Sequence, residues 1–226
     1  MENIYEKLSD DKKEKFEIYM KELIEWNKNI NLTTITEENE IVLKHFIDSM
    51  TISDYIKDNS KIIDIGTGAG FPGIPLKIKN NSLNVTLVDS LNKRINFLNN
   101  IINKLNLDNI CAIHSRAEEL GHNKEQREQY DYAVSRAVAN LSTLLEYLLP
   151  FVKVGGFCIC MKGPNIEQEI NNSEKALKEL GGKIEKIENF TLPGTDITRN
   201  IILIKKINTT KNKYPRKAGT PAKEPL

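Results

Sequence analysis

The chain has 226 residues, of which 39% are hydrophobic and 28% charged, with 32 Lys and Arg against 31 Asp and Glu for a net charge of +1. A chain of this length buries roughly 70% of its unfolded surface in a full core without disulfides or metal. Near-neutrality excludes both a uniformly basic nucleic-acid binder and an acidic disordered chain. The small total hides an asymmetry. Residues 1–60 hold eight basic and fourteen acidic side chains (−6), and residues 205–226 hold seven basic and one acidic (+6). An acidic head therefore precedes a basic tail.

The first sixty residues read as a helical cap. Ser9 is a candidate cap, and Phe16, Tyr19, Met20, Leu23, Trp26 and Ile30 follow a helical stripe. A second helix is expected from about Glu37 to Ile56. The pattern then changes to alternating strands and helices. Lys61 to Ile65, Asn84 to Asp89, Asn109 to His114, Tyr130 to Ser135 and Gly155 to Met161 are short strand-like runs. Between them lie a short helix around 74–80, an amphipathic helix through Leu91, Ile95, Leu98, Ile102 and Leu105, and a leucine-faced helix from Leu141 to Leu148. A further helix spans Ile166 to Leu180 and is stopped by Gly181-Gly182. Five such alternations are the signature of βαβ units and a parallel sheet covered on both faces. Lys183 to Phe190 and Asn200 to Ile207 have no helix between them and are expected to pair as an antiparallel hairpin at the sheet edge. The reading is thus a cap over 1–60, an α/β domain over 61–207 and a basic, proline-containing tail over 208–226 that is a loop or a mobile arm.

The N-terminal segment lacks a basic stretch followed by an apolar one, and no run approaches the roughly 18 apolar residues of a membrane span. Cys111, Cys158 and Cys160 form a sparse, odd set. The expectation is a cytoplasmic monomer with reduced thiols, no metal and no membrane partner.

The strongest local signal is Asp64-Ile-Gly66-Thr-Gly68-Ala-Gly70-Phe71-Pro-Gly73, between a strand and a helix. Glycines there admit positive φ and close approach of a ligand to the backbone, and helix N-terminal amides favour an anionic group. Gly68-Ala-Gly70-Phe-Pro-Gly73 fits the G-x-G-x-x-G of dinucleotide sites. Asp64-x-Gly66-x-Gly68-x-Gly70 equally fits a D-x-G-x-G-x-G loop for S-adenosylmethionine. A turn needed only for strand-to-helix packing is the plain alternative. Asp64 at the strand end, suited to orienting the methionine amino group through the loop, favours S-adenosylmethionine. So do the bulky Phe71-Pro72 pair and the terminal hairpin in place of a second nucleotide-binding half. Asp89, ending the second strand, is placed to accept hydrogen bonds from ribose hydroxyls.

At these residues the sequence resembles the RsmG family, formerly glucose-inhibited division protein B. The resemblance rests on His45-Phe-Ile-Asp-Ser, Asp64 to Ile78, Val88-Asp-Ser-Leu-Asn-Lys-Arg, Ser115-Arg-Ala-Glu118, Val134-Ser-Arg-Ala-Val-Ala139 and Tyr214-Pro-Arg-Lys-Ala-Gly-Thr-Pro. It implies a class I S-adenosylmethionine-dependent methyltransferase fold, Rossmann-like, with a seven-stranded sheet ending in the hairpin. It implies methyl transfer to guanine N7 in 16S rRNA of the small ribosomal subunit, at the position conventionally numbered 527. It further implies that Gly66, Phe71, Ala117, Glu118 and Arg136 contact the cofactor, with Arg136 near the transfer site.

Guanine N7 has a lone pair and no proton, so transfer from a sulfonium needs no general base, and catalysis comes from positioning and charge placement. The Asn-Pro-Pro-Tyr/Phe motif of exocyclic-amine methylation is absent, as is the Pro-Cys nucleophile of pyrimidine C5 methylation. Candidate RNA contacts are Lys93, Arg94, Arg116, Arg136, Lys162 and Arg199 at strand ends or hairpin flanks. The tail adds Lys211, Lys213, Arg216 and Lys217 beside Tyr214, which is suited to stacking on a base. His45 is either an RNA contact or a packed, hydrogen-bonded side chain. The alternatives are a small-molecule methyltransferase, which would not need the basic tail, a nicotinamide oxidoreductase, or a non-catalytic RNA-binding protein.

Overall fold

The alternation resolves, in a computed structural model that describes residues 4–136 and 139–226, into a seven-stranded sheet with helices on both faces. Ala137 and Val138 of the Ser-Arg-Ala-Val-Ala stretch lie outside the described residues, as does the initial Met1-Glu-Asn. The head forms α1 (Asp10–Asn27), then α2 (Glu38–Ile41), a π-helical turn (Val42–Ile47) and α3 (Asp48–Met50) in one continuous path. Ser9 occupies the N-cap position of α1, but its side chain makes no cap hydrogen bond. The expected single helix from 37 to 56 is broken by the π turn, a feature that often marks a functional segment.

The domain proper runs β1 (Lys61–Ile65), α4 (Gly73–Lys79), β2 (Asn84–Asp89), α5 (Asn92–Lys104), β3 (Ile110–His114), α6 (Ala117–Leu120), β4 (Tyr130–Arg136), α7 (Leu141–Leu148) and β5 (Val152–Lys162). It continues through α8 (Glu167–Asn171), α9 (Glu174–Leu180), β6 (Gly182–Thr191) and β7 (Thr198–Lys206), and a short α10 (Thr220–Lys223) lies in the tail. The strand order is β3-β2-β1-β4-β5-β7-β6. Strands β1 to β5 pair in parallel through helical crossovers, and β7 is antiparallel to both β5 and β6. The expected hairpin is therefore present, with β7 drawn inside and β6 on the edge. Composition explains the choice: Ile201, Ile202 and Ile204 of β7 are buried, whereas β6 carries Lys183, Glu185, Lys186 and Glu188, charges that guard a free edge.

Successive β1 side chains enter opposite faces. Ile62 joins a core with Phe16, Tyr19, Leu23, Phe46, Ile74, Leu87 and Phe97, so α1 and the 38–50 path share one core with α4, α5 and the sheet. Ile63 and Ile65 join the other core, with Leu141, Leu144, Leu145, Leu148 and Leu180.

Of the two alternatives for the tail, the structure shows the loop: it is docked on the second core and is not a mobile arm. Tyr214 is 4% exposed and packs in that core. Arg216 binds Glu146, itself 0% exposed, through Nε at 3.0 and 3.1 Å and through Nη2 at 2.7 Å. Arg127 donates to the carbonyls of Thr210, Lys211 and Tyr214, and Thr143 Oγ1 donates to Pro221 O at 2.9 Å. These anchors are an ion pair and side chains bonding to backbone, which leave no periodicity in a sequence.

Candidate functional site

The site is built at the C-terminal end of β1. There the N–H groups of Gly66 and Thr67 donate to Val88 O at 2.9 and 3.1 Å, tying the loop to the end of β2. Asp64 lies beneath this loop, fully buried. Its Oδ2 accepts from Thr67 Oγ1 at 2.7 Å and from Gly73 N at 2.8 Å, while Oδ1 has no hydrogen-bond partner among the described residues. The first amide of α4 is thus spent on Asp64 rather than offered to an anionic ligand. Burial pushes the Asp64 carboxyl up to about 7, against those two hydrogen bonds and the Arg136 charge. Gly70 holds φ +101, and a Cβ there would stand 2.8 Å from Tyr19 Oη and 2.9 Å from Ile74 Cγ1. A side chain is therefore excluded twice over. Tyr19 Oη donates to Ala69 O from inside the core, so α1 clamps the loop from below.

Above the loop opens a cleft of about 520 Å³. Its floor is Gly66 to Ala69. Asp89 and Arg94 form the β2 side, Arg116, Ala117 and Glu118 the β3 side, and His45, Phe71 and Arg136 the far end. Asp89 is 3% exposed. Its Oδ2 accepts from Gly68 N at 2.9 Å and Arg94 Nη1 at 3.1 Å, and its Oδ1 accepts from Leu91 N at 2.9 Å. A carboxylate has about four acceptor sites, so the site expected for two ribose hydroxyls has one free unless Arg94 withdraws. Glu118 Oε1 accepts from Gly219 N of the tail at 2.9 Å.

The far end is a charged knot. Arg136, 14% exposed, donates through Nη1 to Lys44 O at 2.7 Å and Asp48 Oδ2 at 3.2 Å, and through Nη2 to His45 Nδ1 at 2.9 Å. Its guanidinium lies 4.9 Å from the Phe71 ring centroid, and the His45 ring stacks on Phe71 at 4.5 Å. Arg199 Nε reaches the two oxygens of Asp48 at 3.1 and 3.3 Å. Burial, reinforced by the Arg136 charge, lowers His45 to about 3, so the ring is neutral. Nδ1 accepts from Arg136, so the proton resides on Nε2, which donates to Thr33 Oγ1 at 2.7 Å.

The fold gathers Gly66, Gly68, Phe71, Asp89, Ala117, Glu118 and Arg136 around one cleft, and His45, Arg94 and Arg116 of the expected RNA contacts join them. Asp64 and Gly70 support the loop from below and do not line the cleft. Lys162 and Arg199 line a neighbouring cavity of about 380 Å³. Lys162 is 7% exposed and bound to Ala139 O and Glu169, which corrects its reading as a free phosphate contact. Tyr214 is buried in the second core and Arg216 is bound to Glu146 through Nε and Nη2, which corrects their reading as a free stacking ring and a free cation. Lys93, Lys213 and Lys217 are exposed, and both Lys211 and Lys213 lie against Glu179. Asp48 escaped the sequence reading. Its signal was its place three residues after His45, on one helical face.

The two shifted groups predict opposing pH dependences. The unfolded chain ionises Asp64 first, so that contribution to stability falls as pH rises from 3.8 to about 7. The unfolded chain protonates His45 first, so its contribution falls as pH drops from 6.5 to about 3. Between about pH 4 and 6.5 the slopes cancel. In urea unfolding at pH 4.5 and 6.5, His45→Gln gains stability relative to the parent toward acid, and Asp64→Asn loses it. Equal offsets at both pH values would contradict both assignments.

The family described as rRNA small subunit methyltransferase G matches residues 12–202. The chain is 56% identical over 220 residues to the Ribosomal RNA small subunit methyltransferase G of Acetivibrio thermocellus, covering 97% of this chain and 90% of the relative. It is 51% identical over 221 residues to the protein of the same name from Alkaliphilus metalliredigens, covering 97% and 92%. Among solved structures, M. jannaschii TYW2 in complex with AdoMet superposes with a TM-score of 0.58 over 77% of this chain and 80% of that one, at 15% identity. That last likeness is one of fold alone. By the family match and these near-full-length identities, the chain belongs to the rRNA small subunit methyltransferase G family.

Proposed function

We propose that the chain transfers a methyl group from S-adenosylmethionine to N7 of a guanine in 16S rRNA of the small ribosomal subunit, with the cofactor in the glycine-loop cleft. The observation that carries this reading is that the family match over 12–202 contains every residue of the cleft. The cleft itself fits the cofactor. Its volume falls in the roughly 300–1,000 Å³ range of small-molecule sites. A Cβ at Gly68 would meet nothing within 4 Å, so the bare loop is open to a ligand, and Asp89 keeps acceptor capacity beside it.

When bound, S-adenosylmethionine supplies an electrophilic methyl on a sulfonium. Asp89 would hold the ribose by exchanging Arg94 for a hydroxyl. Ala117 would border the adenine, and Glu118 would meet it with Oε2, since Oε1 is held by the tail. Gly66 and Phe71 would border the methionine end, and Asp64 would act through the loop it fastens. Arg136 is rigidly held on three acceptors, so its charge is fixed before substrate arrives. Guanine N7 has no proton to lose, and none of these groups is required to act as a base. Arg116, exposed at the rim, is suited to RNA phosphate.

Calorimetry with S-adenosylmethionine and NADH, followed by labelled-methyl transfer to small subunits and to extracted 16S rRNA, tests the reading. Binding of S-adenosylmethionine with transfer to either RNA substrate is expected. Binding of NADH alone, or cofactor binding with no transfer, contradicts it.

A further inference from the structure

We propose that the cavity of about 380 Å³ beside the cleft receives the target guanine, and that Arg199 reads its O6. The proposal rests on the reading of the chain as a guanine-N7 methyltransferase and adds the pocket and the residue that select the base.

The first support is geometric. The acceptor base must sit next to the methyl-bearing end of the cleft. The 380 Å³ cavity shares a wall with the cleft, made by His45 and Arg136. The larger cavity between residues 140–142 and 164–172 shares no residue with the cleft.

The second support is the hydrogen-bonding capacity left in the cavity wall. Its acceptors are largely committed: Asp48 takes Arg136 on one oxygen and Arg199 Nε on both, filling three of about four acceptor sites, and both nitrogens of His45 are engaged. Most donors are also committed. Both terminal nitrogens of Arg136 bond to protein, and Lys162 Nζ is held by Ala139 O and Glu169. Arg199 differs. Its Nε binds Asp48 and its Nη1 binds Thr198 O at 3.3 Å, while Nη2 has no hydrogen-bond partner among the described residues. The guanidinium is thus oriented by a buried carboxylate and keeps a donor for a ligand. The apolar Met161 completes the wall and offers a surface for a planar ring.

Guanine matches this capacity. Its N7 and O6 are adjacent acceptors on one edge. When N7 meets the methyl group, O6 falls beside it and requires a donor. The N7 lone pair forms the new N–C bond, the S–C bonding pair stays on sulfur, the positive charge passes to the base, and no proton moves. Adenine would present its N6 amino group where guanine presents O6, setting donor against donor and leaving Arg199 unpaired.

The test uses the full chain and its Arg199→Ala and Arg199→Lys variants, with three readouts. The first is calorimetric affinity for S-adenosylmethionine. The second is kcat and KM for labelled transfer to small subunits lacking the mark. The third is the preference for guanine over adenine at the target position in reconstituted subunits. The expected result for Arg199→Ala is cofactor affinity within about twofold of the parent, kcat/KM lower by at least about 30-fold, and a guanine preference reduced at least about tenfold. Arg199→Lys restores part of both losses. An unchanged guanine preference in both variants overturns the role of Arg199, because a purely structural loss lowers both bases alike. If the parent methylates no guanine, the underlying reading fails and the pocket assignment falls with it, a result distinct from an active parent indifferent to Arg199.

Discussion

Arg136→Ala lowers methyl transfer by at least about 100-fold, a loss of about 3 kcal/mol of transition-state stabilisation, and lowers stability by about 2–4 kcal/mol. Both effects come from one guanidinium. It satisfies Lys44 O, Asp48 Oδ2 and His45 Nδ1 together and covers the Phe71 ring. Truncation leaves His45 Nδ1 without a donor, removes the side-chain donor from Lys44 O and leaves the buried Asp48 with Arg199 alone. The cleft meanwhile loses the fixed charge at its far end. Arg136→Lys keeps the charge, but a single ammonium cannot span the same three acceptors in a planar fork, so it recovers stability better than rate. Urea unfolding and labelled transfer, run at a temperature where the variants stay folded, separate the two effects. Activity within threefold of the parent would remove Arg136 from the transfer site.

Arg216→Ala costs about 3–5 kcal/mol of stability, because it strands the carboxylate of Glu146 at 0% exposure with no counter-charge. For a chain of this size that corresponds to a fall in Tm of roughly 6–20 °C. Glu146→Gln alone also destabilises, since it leaves Arg216 half-satisfied. The double variant Glu146→Gln with Arg216→Gln loses less than the sum of the singles, because no buried charge is left uncompensated. Thermal unfolding of the four proteins measures the coupling. A Tm for Arg216→Ala within 2 °C of the parent would favour the mobile arm over the docked loop.

The sheet was legible because its signals are periodic. Buried runs such as Lys61 to Ile65 end in glycines, and Leu91 to Leu105 repeats at helical spacing, so neither depends on distant contacts. The hairpin was legible from the missing helix between its strands, and the loop from Asp64 and its glycines. The docked tail was illegible because its anchors, Arg216 to Glu146 and Arg127 to three carbonyls, join residues 70 or more positions apart by hydrogen bonds. The lysines and arginines that made the tail look RNA-facing include one spent on a buried acid. Asp48 was hidden for the same reason: its partners Arg136 and Arg199 come from β4 and β7, which only the folded sheet brings to one side of the 38–50 path. The −6 head contributes this carboxylate to the site, so its charge is not wholly an outward solvated face.

The most direct measurement is borohydride and aniline cleavage of 16S rRNA after the chain and S-adenosylmethionine have acted on small subunits that lack the mark, since strand scission reports N7-methylguanine by position. The expected result is one new cleavage at a guanine, dependent on the cofactor and strongly reduced with Arg136→Ala. Cofactor binding with no new cleavage on subunits or on extracted 16S rRNA would contradict guanine-N7 methyl transfer by this chain.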